Sequence, residues 1–324
     1  MTQTEETARL YRRFAEEEAA GSSPFYETVA TTVAGSLEIL EKLSTLPPLK
    51  RQPNLLFAAT RHVAGDMTDA GAFVDVLLQR FEEIAEVMRA RRTQTNEPAR
   101  CATLMPLLAA IEGPLALIEV GASAGLCLFP DLYGYDWGRG ALPPPSAVVS
   151  VAPTFECRAS PNTPLPDRHP EIVWRKGLDL NPLNLKDPSD VAWLKTLVWP
   201  EHADRRHALD QAIHIARHNP PDIVTGDLMG DLDAVIDSAP KDASLVVFHS
   251  AVLAYVKDRS LRQAFAEKMC ASELIWISNE GASVFPELLQ SAGPRQSGQF
   301  LLSENGVPKA WTHPHGRSID WIAA

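Results

Sequence analysis

Residues 115–125 read LALIEVGASAG, an apolar run that passes directly into a turn with two glycines and a serine. The run Leu115–Val120 has the length and composition of a strand buried in a parallel sheet. Gly121 and Gly125 allow a tight turn and a close approach of a ligand to the backbone. We expect a ligand-binding loop here, followed by a helix whose first N–H groups face the ligand.

Further strand and helix patterns alternate along the rest of the chain. The predicted strands are 147–151, 171–174, 222–225, 245–249 and 274–278. The predicted helices are one that opens at Asp187-Pro188, one at 203–218 and one at 259–271. Strands that alternate with helices predict a mostly parallel sheet covered on both faces.

The C-terminal tail predicts an antiparallel hairpin added to this sheet. Residues 299–303 and 309–312 flank Asn305-Gly306, a dipeptide typical of two-residue hairpin turns. Residues 138–170 are rich in proline and predict a long irregular insertion. The expected fold of residues 113–324 is therefore a Rossmann-like, doubly wound α/β domain with a C-terminal hairpin.

Residues 1–112 show helical periodicity and no strand-like alternation. Leu10, Tyr11 and Phe14 fall on one face of the first helix, which we expect to end at the breaker cluster 21–24. The sequence therefore predicts an all-helical N-terminal domain over 1–112, in front of the α/β domain.

Composition and charge limit the classes of function. Of the 324 residues, 45% are hydrophobic and 22% charged, as in an ordinary globular protein. The net charge of −11 disfavours nucleic acid as a partner, and no apolar run is long enough to span a membrane. The four cysteines are too widely spaced to predict a zinc site or a disulfide framework. Without a signal-like N-terminus, we expect a cytoplasmic protein of undetermined oligomeric state.

The turn after the first strand has three interpretations. Glu119, Gly121, Ser123 and Gly125 match a loop that holds the methionine end of S-adenosylmethionine. The same residues spell G-x-S-x-G, the nucleophile elbow of serine hydrolases, with Ser123 as nucleophile. The first interpretation is preferred, because an elbow follows several earlier strands of its sheet. The third is a strand-to-helix turn that binds nothing.

Acidic residues at later strand ends support a nucleoside ligand. A carboxylate accepts hydrogen bonds from ribose hydroxyls, and Asp179 is preferred to Glu156 for this role. Asp227 follows the strand 222–225, where an acid suits the adenine amino group. The neighbouring Leu228 is expected to pack on the adenine ring.

Candidate catalytic residues come from strand ends and one polar segment. His249 and Glu280 end the two predicted strands near the point where the sheet order reverses. Residues 91–100 read RRTQTNEPAR, and Arg92 and Asn96 are candidates there. This segment is expected either to face the substrate or to join the two domains. His313 and His315 lack a third metal ligand, so we expect a surface turn and no metal site.

Seven segments together resemble one bacterial family, the domain-of-unknown-function family numbered 2332. They are RRTQTNEPAR, LIEVGASAGL, GLDLNPL, LVWPE, VVFHSAVLAY, WISNEG and HPHGR. The resemblance covers nearly the whole chain and implies that the helical and α/β parts form one architecture. The glycine-rich segment also resembles the first motif of class I S-adenosylmethionine-dependent methyltransferases, with Ser123 in place of the middle glycine.

The leading hypothesis is a methyltransferase that uses S-adenosylmethionine and acts on a small molecule or a protein side chain. Methyl transfer is an in-line displacement, so positioning of the reactants supplies several kcal/mol of the barrier. Two alternatives are kept. One is a serine hydrolase with Ser123 as nucleophile and His249 or His315 as base. The other is a non-catalytic, methyltransferase-like binding module.

Overall fold

The computed structural model describes residues 2–94, 96–294 and 298–322. Two compact units are present. The first comprises residues 1–95 and 187–207, and the second comprises residues 96–186 and 208–324. This division differs from the predicted boundary at residue 112, because the segment 187–207 belongs to the helical unit and residues 96–112 belong to the α/β unit.

The helices of the described chain carry the labels used below. They are α1 (Gln3–Phe14), α2 (Pro24–Gly35), α3 (Leu37–Ser44), α4 (Pro53–Ala64), α5 (Ala70–Gln79), α6 (Phe81–Ala90), α7 (Cys101–Leu108), α8 (Pro188–Leu197), α9 (Ala203–His218), α10 (Leu232–Asp237), α11 (Arg259–Ala271) and α12 (Leu289–Ala292).

Helices α1–α6 and α8 form the first unit around one aromatic-rich core. Side-chain caps fix several helix starts: Ser23 accepts the Tyr26 N–H, and Asp187 accepts the Ser189 N–H. Trp193 of α8 is fully buried in the same core as Phe57. No strand lies in the described residues before 115, so the prediction of a helical N-terminal part is confirmed.

The strands are β1 (Leu115–Val120), β2 (Gly134–Asp136), β3 (Ala141–Leu142), β4 (Thr154–Glu156), β5 (Arg158–Ala159), β6 (Ile172–Asp179), β7 (Asp222–Thr225), β8 (Ser244–Ser250), β9 (Ile275–Gly281), β10 (Phe300–Glu304), β11 (Val307–Thr312) and β12 (Ser318–Trp321). Within the described ranges the main sheet has the order β5-β12-β11-β10-β9-β8-β1-β6-β7. Strands β7, β6, β1, β8 and β9 are mutually parallel, and β10–β12 are antiparallel additions.

The sheet order reverses at β1. The chain passes from β1 to β6 and β7 on one side, and then to β8 and β9 on the other. Ligands of doubly wound folds bind at such a switch point, beyond the carboxyl ends of the strands. The prediction of an α/β fold with a mostly parallel sheet and a C-terminal hairpin is confirmed, and Asn305 and Gly306 form the hairpin turn with positive φ.

Three local predictions were wrong. Residues 147–151 form turns instead of a strand, because the Val148 N–H bonds back to Pro145 and the Val151 N–H to Val148. The proline-rich segment is not simply irregular, since β3 and β4 form a small sheet with β2, and β5 joins the main sheet. After Gly125 the chain forms only the 3-10 turn Leu126–Leu128, and no α-helix follows.

Candidate functional site

The turn after β1 has an unusual backbone. Gly121, Ser123 and Gly125 have φ angles of 72°, 51° and 71°. Glycine adopts such angles without cost, whereas Ser123 needs support from its surroundings. The Ser123 hydroxyl accepts a hydrogen bond from Asn96 Nδ2 at 2.6 Å, and its backbone N–H is bound as well. The residue is therefore held in this conformation from two sides.

Every amide N–H of the turn 121–125 is already hydrogen-bonded within the protein. The Gly121 and Ala122 N–H groups donate to Leu178 O, and that of Gly125 donates to Ala122 O. The Ser123 N–H donates to Asp179 Oδ2 at 2.8 Å. The Ala124 N–H donates to Asn96 Oδ1 at 3.0 Å. In this conformation the turn offers no free N–H group to an anion.

Side chains also occupy the space that the glycines leave. A Cβ atom added to Gly121 would overlap Cγ2 of Val252, and one added to Gly125 would lie 2.7 Å from Cγ of Pro221. These glycines therefore serve close packing inside the protein. Val252 is the side chain that a ligand would have to displace to reach the backbone at Gly121.

Asp179 stands at the carboxyl end of β6 beside the turn. Its Oδ2 binds the Ser123 N–H, and its Oδ1 accepts from the Asn181 N–H at 2.7 Å. Gly177 allows this approach, because a Cβ there would lie 2.7 Å from the Ala122 Cβ. Each carboxylate oxygen has a second lone pair, so Asp179 can still accept from a ligand hydroxyl.

The other residues predicted to contact a nucleoside differ in their exposure and in their place in the fold. Asp227 is exposed after β7 and accepts the Met229 N–H. Leu228 is partly buried and packs against the hydrophobic core. Glu156 lies in β4 of the small sheet, which removes it from the carboxyl edge of the main sheet.

Glu119 is a buried carboxyl group within β1, with only 7% of its surface exposed. Burial raises the pKa of Glu119 well above its usual value, and nearby Cys127 adds to the rise while Arg100 opposes it. Its Oε2 has no hydrogen-bond partner among the described residues. Burial thus favours the uncharged form of Glu119, which lies behind the turn.

The polar segment after Thr95 buttresses the turn from one side. Asn96 binds both Ser123 and Ala124, as described above. Glu97 Oε2 lies 3.4 Å from His315 Nδ1. Arg100 donates through Nε to Pro314 O and through Nη1 to Ser250 O. Residues 313–316 thus lie against residues 96–100. The predicted candidate Arg92 belongs to the other unit, and Thr95 lies outside the described residues.

His249 and Glu280 come together, as their strand positions suggested, but inside the protein. The His249 Nδ1 lies 2.7 Å from Glu280 Oε1, and its Nε2 accepts from Trp276 Nε1 at 3.0 Å. Because the indole N–H can only donate, the imidazole proton is on Nδ1. His249 is fully buried with both nitrogens engaged, which does not favour a role as base for a substrate.

Three large apolar side chains are exposed at the carboxyl edge of the sheet. Leu180 follows β6, Met229 follows β7 and Tyr255 follows β8, and Tyr255 is 70% exposed. Exposed apolar groups gathered at one edge are typical of a ligand or partner surface. Together with Asp179 and Asp227 they form an edge that suits a ring system carrying hydroxyl or amino groups.

A family model for uncharacterized proteins conserved in bacteria, DUF2332, matches residues 8–321. The chain belongs to the DUF2332 family. No curated protein and no solved structure matches the chain. All residues of the candidate site lie within the part of the chain that the DUF2332 model covers.

S-adenosylmethionine fits this DUF2332 site in one half only. Asp179, Asp227 and the exposed apolar side chains suit an adenosine moiety. The methionine end meets a turn whose amides are all bound and whose first glycine is covered by Val252. No group of three or more metal-ligating side chains is present in the described residues, and no helix there has both the length and the apolarity to cross a membrane.

Sequence reasoning missed part of the DUF2332 site. The pairing of Glu97 with His315, and of Arg100 with Pro314 and Ser250, joins segments that lie far apart in the sequence. The only signal in the sequence was that RRTQTNEPAR and HPHGR are both polar segments and both belong to the set that resembles the family. That signal identifies the segments but not their contact.

Proposed function

We propose that the protein is an S-adenosylmethionine-dependent methyltransferase that acts on a small molecule or a protein side chain. One observation carries the proposal: at the switch point of the sheet, the Asp179 carboxylate lies directly against the glycine-containing turn, bound to the Ser123 N–H. This pairs the two features that an adenosyl cofactor requires, a ribose acid and a turn after the first strand.

The residues divide the work of binding. Asp179 would accept from the ribose hydroxyls, and the exposed Asp227 would accept from the adenine amino group. Leu180, Met229 and Tyr255 supply apolar surface for the ring. When bound, the cofactor supplies the methyl group. The chain's own residues hold the ligand and exclude water, and Val252 must leave Gly121 before the methionine end can approach the turn.

A second candidate function is a non-catalytic binding module with the same fold. It is favoured by the saturated amides of residues 121–125 and by the packing of Val252 on Gly121. The serine hydrolase is less favoured. The Ser123 hydroxyl meets the Asn96 amide, which cannot take up a proton as a histidine base would.

The deciding experiment is thermal melting with S-adenosylmethionine or its demethylated product. A ligand at about 100 times its Kd adds about 2.7 kcal/mol to the free energy of unfolding. We therefore expect the melting temperature to rise by several degrees, since each kcal/mol is worth about 2–4 °C in a domain of this size. Asp179→Ala should reduce the rise, and Val252→Ala should increase it by opening Gly121.

Asp222→Ala is the matched control, because Asp222 is an exposed aspartate at the opposite end of its strand, the start of β7. Its melting response to the ligand should equal that of the wild type. If neither ligand raises the melting temperature of the wild type or of Val252→Ala, the methyltransferase proposal is wrong and the non-catalytic module is favoured. Labelling of Ser123 by a fluorophosphonate would instead support the serine hydrolase hypothesis.

A further inference from the structure

A small cleft lies beside β9 and β10, on the face of the sheet that carries Glu280. Ser278 and Glu280 of β9 pair across the sheet with Ser303 and Leu301 of β10 and line its floor. Phe285 and Leu288 form an apolar wall. The cleft is small and partly open to solvent, with room for about one water-sized group.

The two carboxylate oxygens of Glu280 have different surroundings. Oε1 accepts from His249 Nδ1, the Val252 N–H and the Leu253 N–H, at 2.7, 2.9 and 3.1 Å. Three N–H donors on one oxygen match the acceptor character of an ionised carboxylate. Oε2 is buried and has no partner in the described part of the chain, and Glu280 is one of the residues that line the cleft.

Burying a carboxylate oxygen without a hydrogen-bond donor lowers the stability of the folded protein. A ligand that donates hydrogen bonds and carries positive charge would remove this penalty. Three residues that carry oxygen acceptors line the cleft: Glu280, Ser278 and Ser303. A primary ammonium group has three N–H donors, one for each acceptor. The apolar wall of Phe285 and Leu288 suits the attached carbon, and an aromatic ring also attracts a cation.

We propose that this cleft binds the primary ammonium group of a small organic cation, anchored on Glu280 Oε2. Hard divalent metals are disfavoured, because they require more charged oxygen ligands than a single carboxylate supplies. Anions are disfavoured by the charge of Glu280. The proposal goes beyond the cofactor assignment and does not depend on it, because no adenosyl ligand takes part in the contacts.

The test uses methylammonium chloride as the probe on the full chain. Sodium chloride at the same ionic strength controls for screening. Tetramethylammonium chloride has the same charge but no N–H donor. We expect a saturable rise of the melting temperature with methylammonium only, and a binding isotherm by calorimetry.

Variants locate the site. Glu280→Gln keeps an oxygen for the three N–H donors but places an amide donor in the cleft, so methylammonium should bind at least about tenfold more weakly. Glu287→Gln removes the same charge from an exposed neighbour and should bind as the wild type does. Ser303→Ala, which deletes one acceptor, should weaken binding about threefold and serves if Glu280→Gln fails to fold.

Two results would overturn the proposal. One is a methylammonium response no larger than that of sodium, which means that Oε2 meets an ordered water only. The other is equal binding by wild type, Glu280→Gln and Ser303→Ala. Because the readout involves no S-adenosylmethionine, failure here is distinguishable from failure of the methyltransferase proposal.

Discussion

Glu119 matches the acid of the sequence motif, but its surroundings differ from those of a cofactor-binding acid. Its carboxyl group is sealed inside β1, and desolvation raises its pKa well above the usual value of 4.5. Cys127 adds to this rise, while Arg100 opposes it. Burial therefore favours the uncharged form of Glu119, while the half-buried Asp179 supplies a carboxylate beside the turn.

The raised pKa of Glu119 makes the stability of the protein depend on pH. The unfolded chain releases this proton near pH 4.5, whereas the folded chain keeps it to a higher pH. The free energy of unfolding therefore falls as the pH rises from about 4.5 towards the raised pKa. In Glu119→Gln this loss is absent, so the difference in melting temperature between variant and wild type should grow with pH over that interval.

A control for this prediction is Glu112→Gln, which changes an exposed glutamate just before β1. Melting curves at several pH values provide the measurement. If Glu119→Gln and the wild type follow parallel curves throughout, the carboxyl group is not held neutral by burial.

The turn 313–316 lies in close contact with the 3-10 helix Pro98–Arg100, which is far from it in the sequence. Gly316 has a φ of 73°, and a Cβ there would overlap the backbone carbonyl of Ala99. The added Cβ would meet backbone atoms of Ala99, which cannot move aside as the end of a flexible side chain could. The two elements therefore depend on glycine at this position.

Gly316→Ala should lower the free energy of unfolding by about 1–3 kcal/mol more than Gly138→Ala does. Gly138 is the matched control, since its φ is 76° but nothing lies within 4 Å of an added Cβ. Both variants share the cost of a positive φ, so their difference isolates the contact with Ala99. Urea unfolding measures it, and equal losses would show that the contact contributes nothing.

At the level of elements, the sequence predicted what depends on neighbouring residues. The bounds of β1, β7, α9 and α11 agree with the predictions, because apolar periodicity and capping residues are local signals. Residues 147–151 failed because Val148 and Val149 have strand propensity, but the preceding prolines 143–145 start a turn. Propensity was outweighed by local backbone hydrogen bonds.

The candidate site was predictable only where a residue follows a strand of the parallel sheet. Asp179 beside the turn follows from strand order, and so does the meeting of His249 with Glu280. The cover of Val252 on Gly121, and the bond from Arg100 to Pro314 across 214 positions, do not. They depend on how loops pack in three dimensions, for which one sequence carries no pattern.

At the scale of the whole molecule, the first unit is built from two separate stretches of chain. Trp193 of α8 is fully buried in a core whose other members come from residues 11–88, and its Nε1 donates to Arg92 O at 3.0 Å. A fragment of residues 1–112 lacks this tryptophan and the whole of α8. The helical part is therefore not an independent N-terminal domain.

We expect Trp193→Ala to lower the free energy of unfolding by about 3–5 kcal/mol, because a large buried side chain leaves a cavity. Ala192→Ser, on the exposed side of the same helix, should change it by less than about 0.5 kcal/mol. Fragment 1–112 should melt without a cooperative transition by circular dichroism. A sharp transition in that fragment would contradict the discontinuous unit.

The discontinuity of the first unit also orders events on the ribosome. Domains usually fold in the order in which they are synthesised, N-terminal first. Here β1, its turn and β6 leave the exit tunnel before α8 does. The helical core therefore lacks Trp193 while the sheet begins to form. During this interval the aromatic surface that Trp193 later covers is exposed to chaperones, and slow translation across residues 113–186 prolongs that exposure.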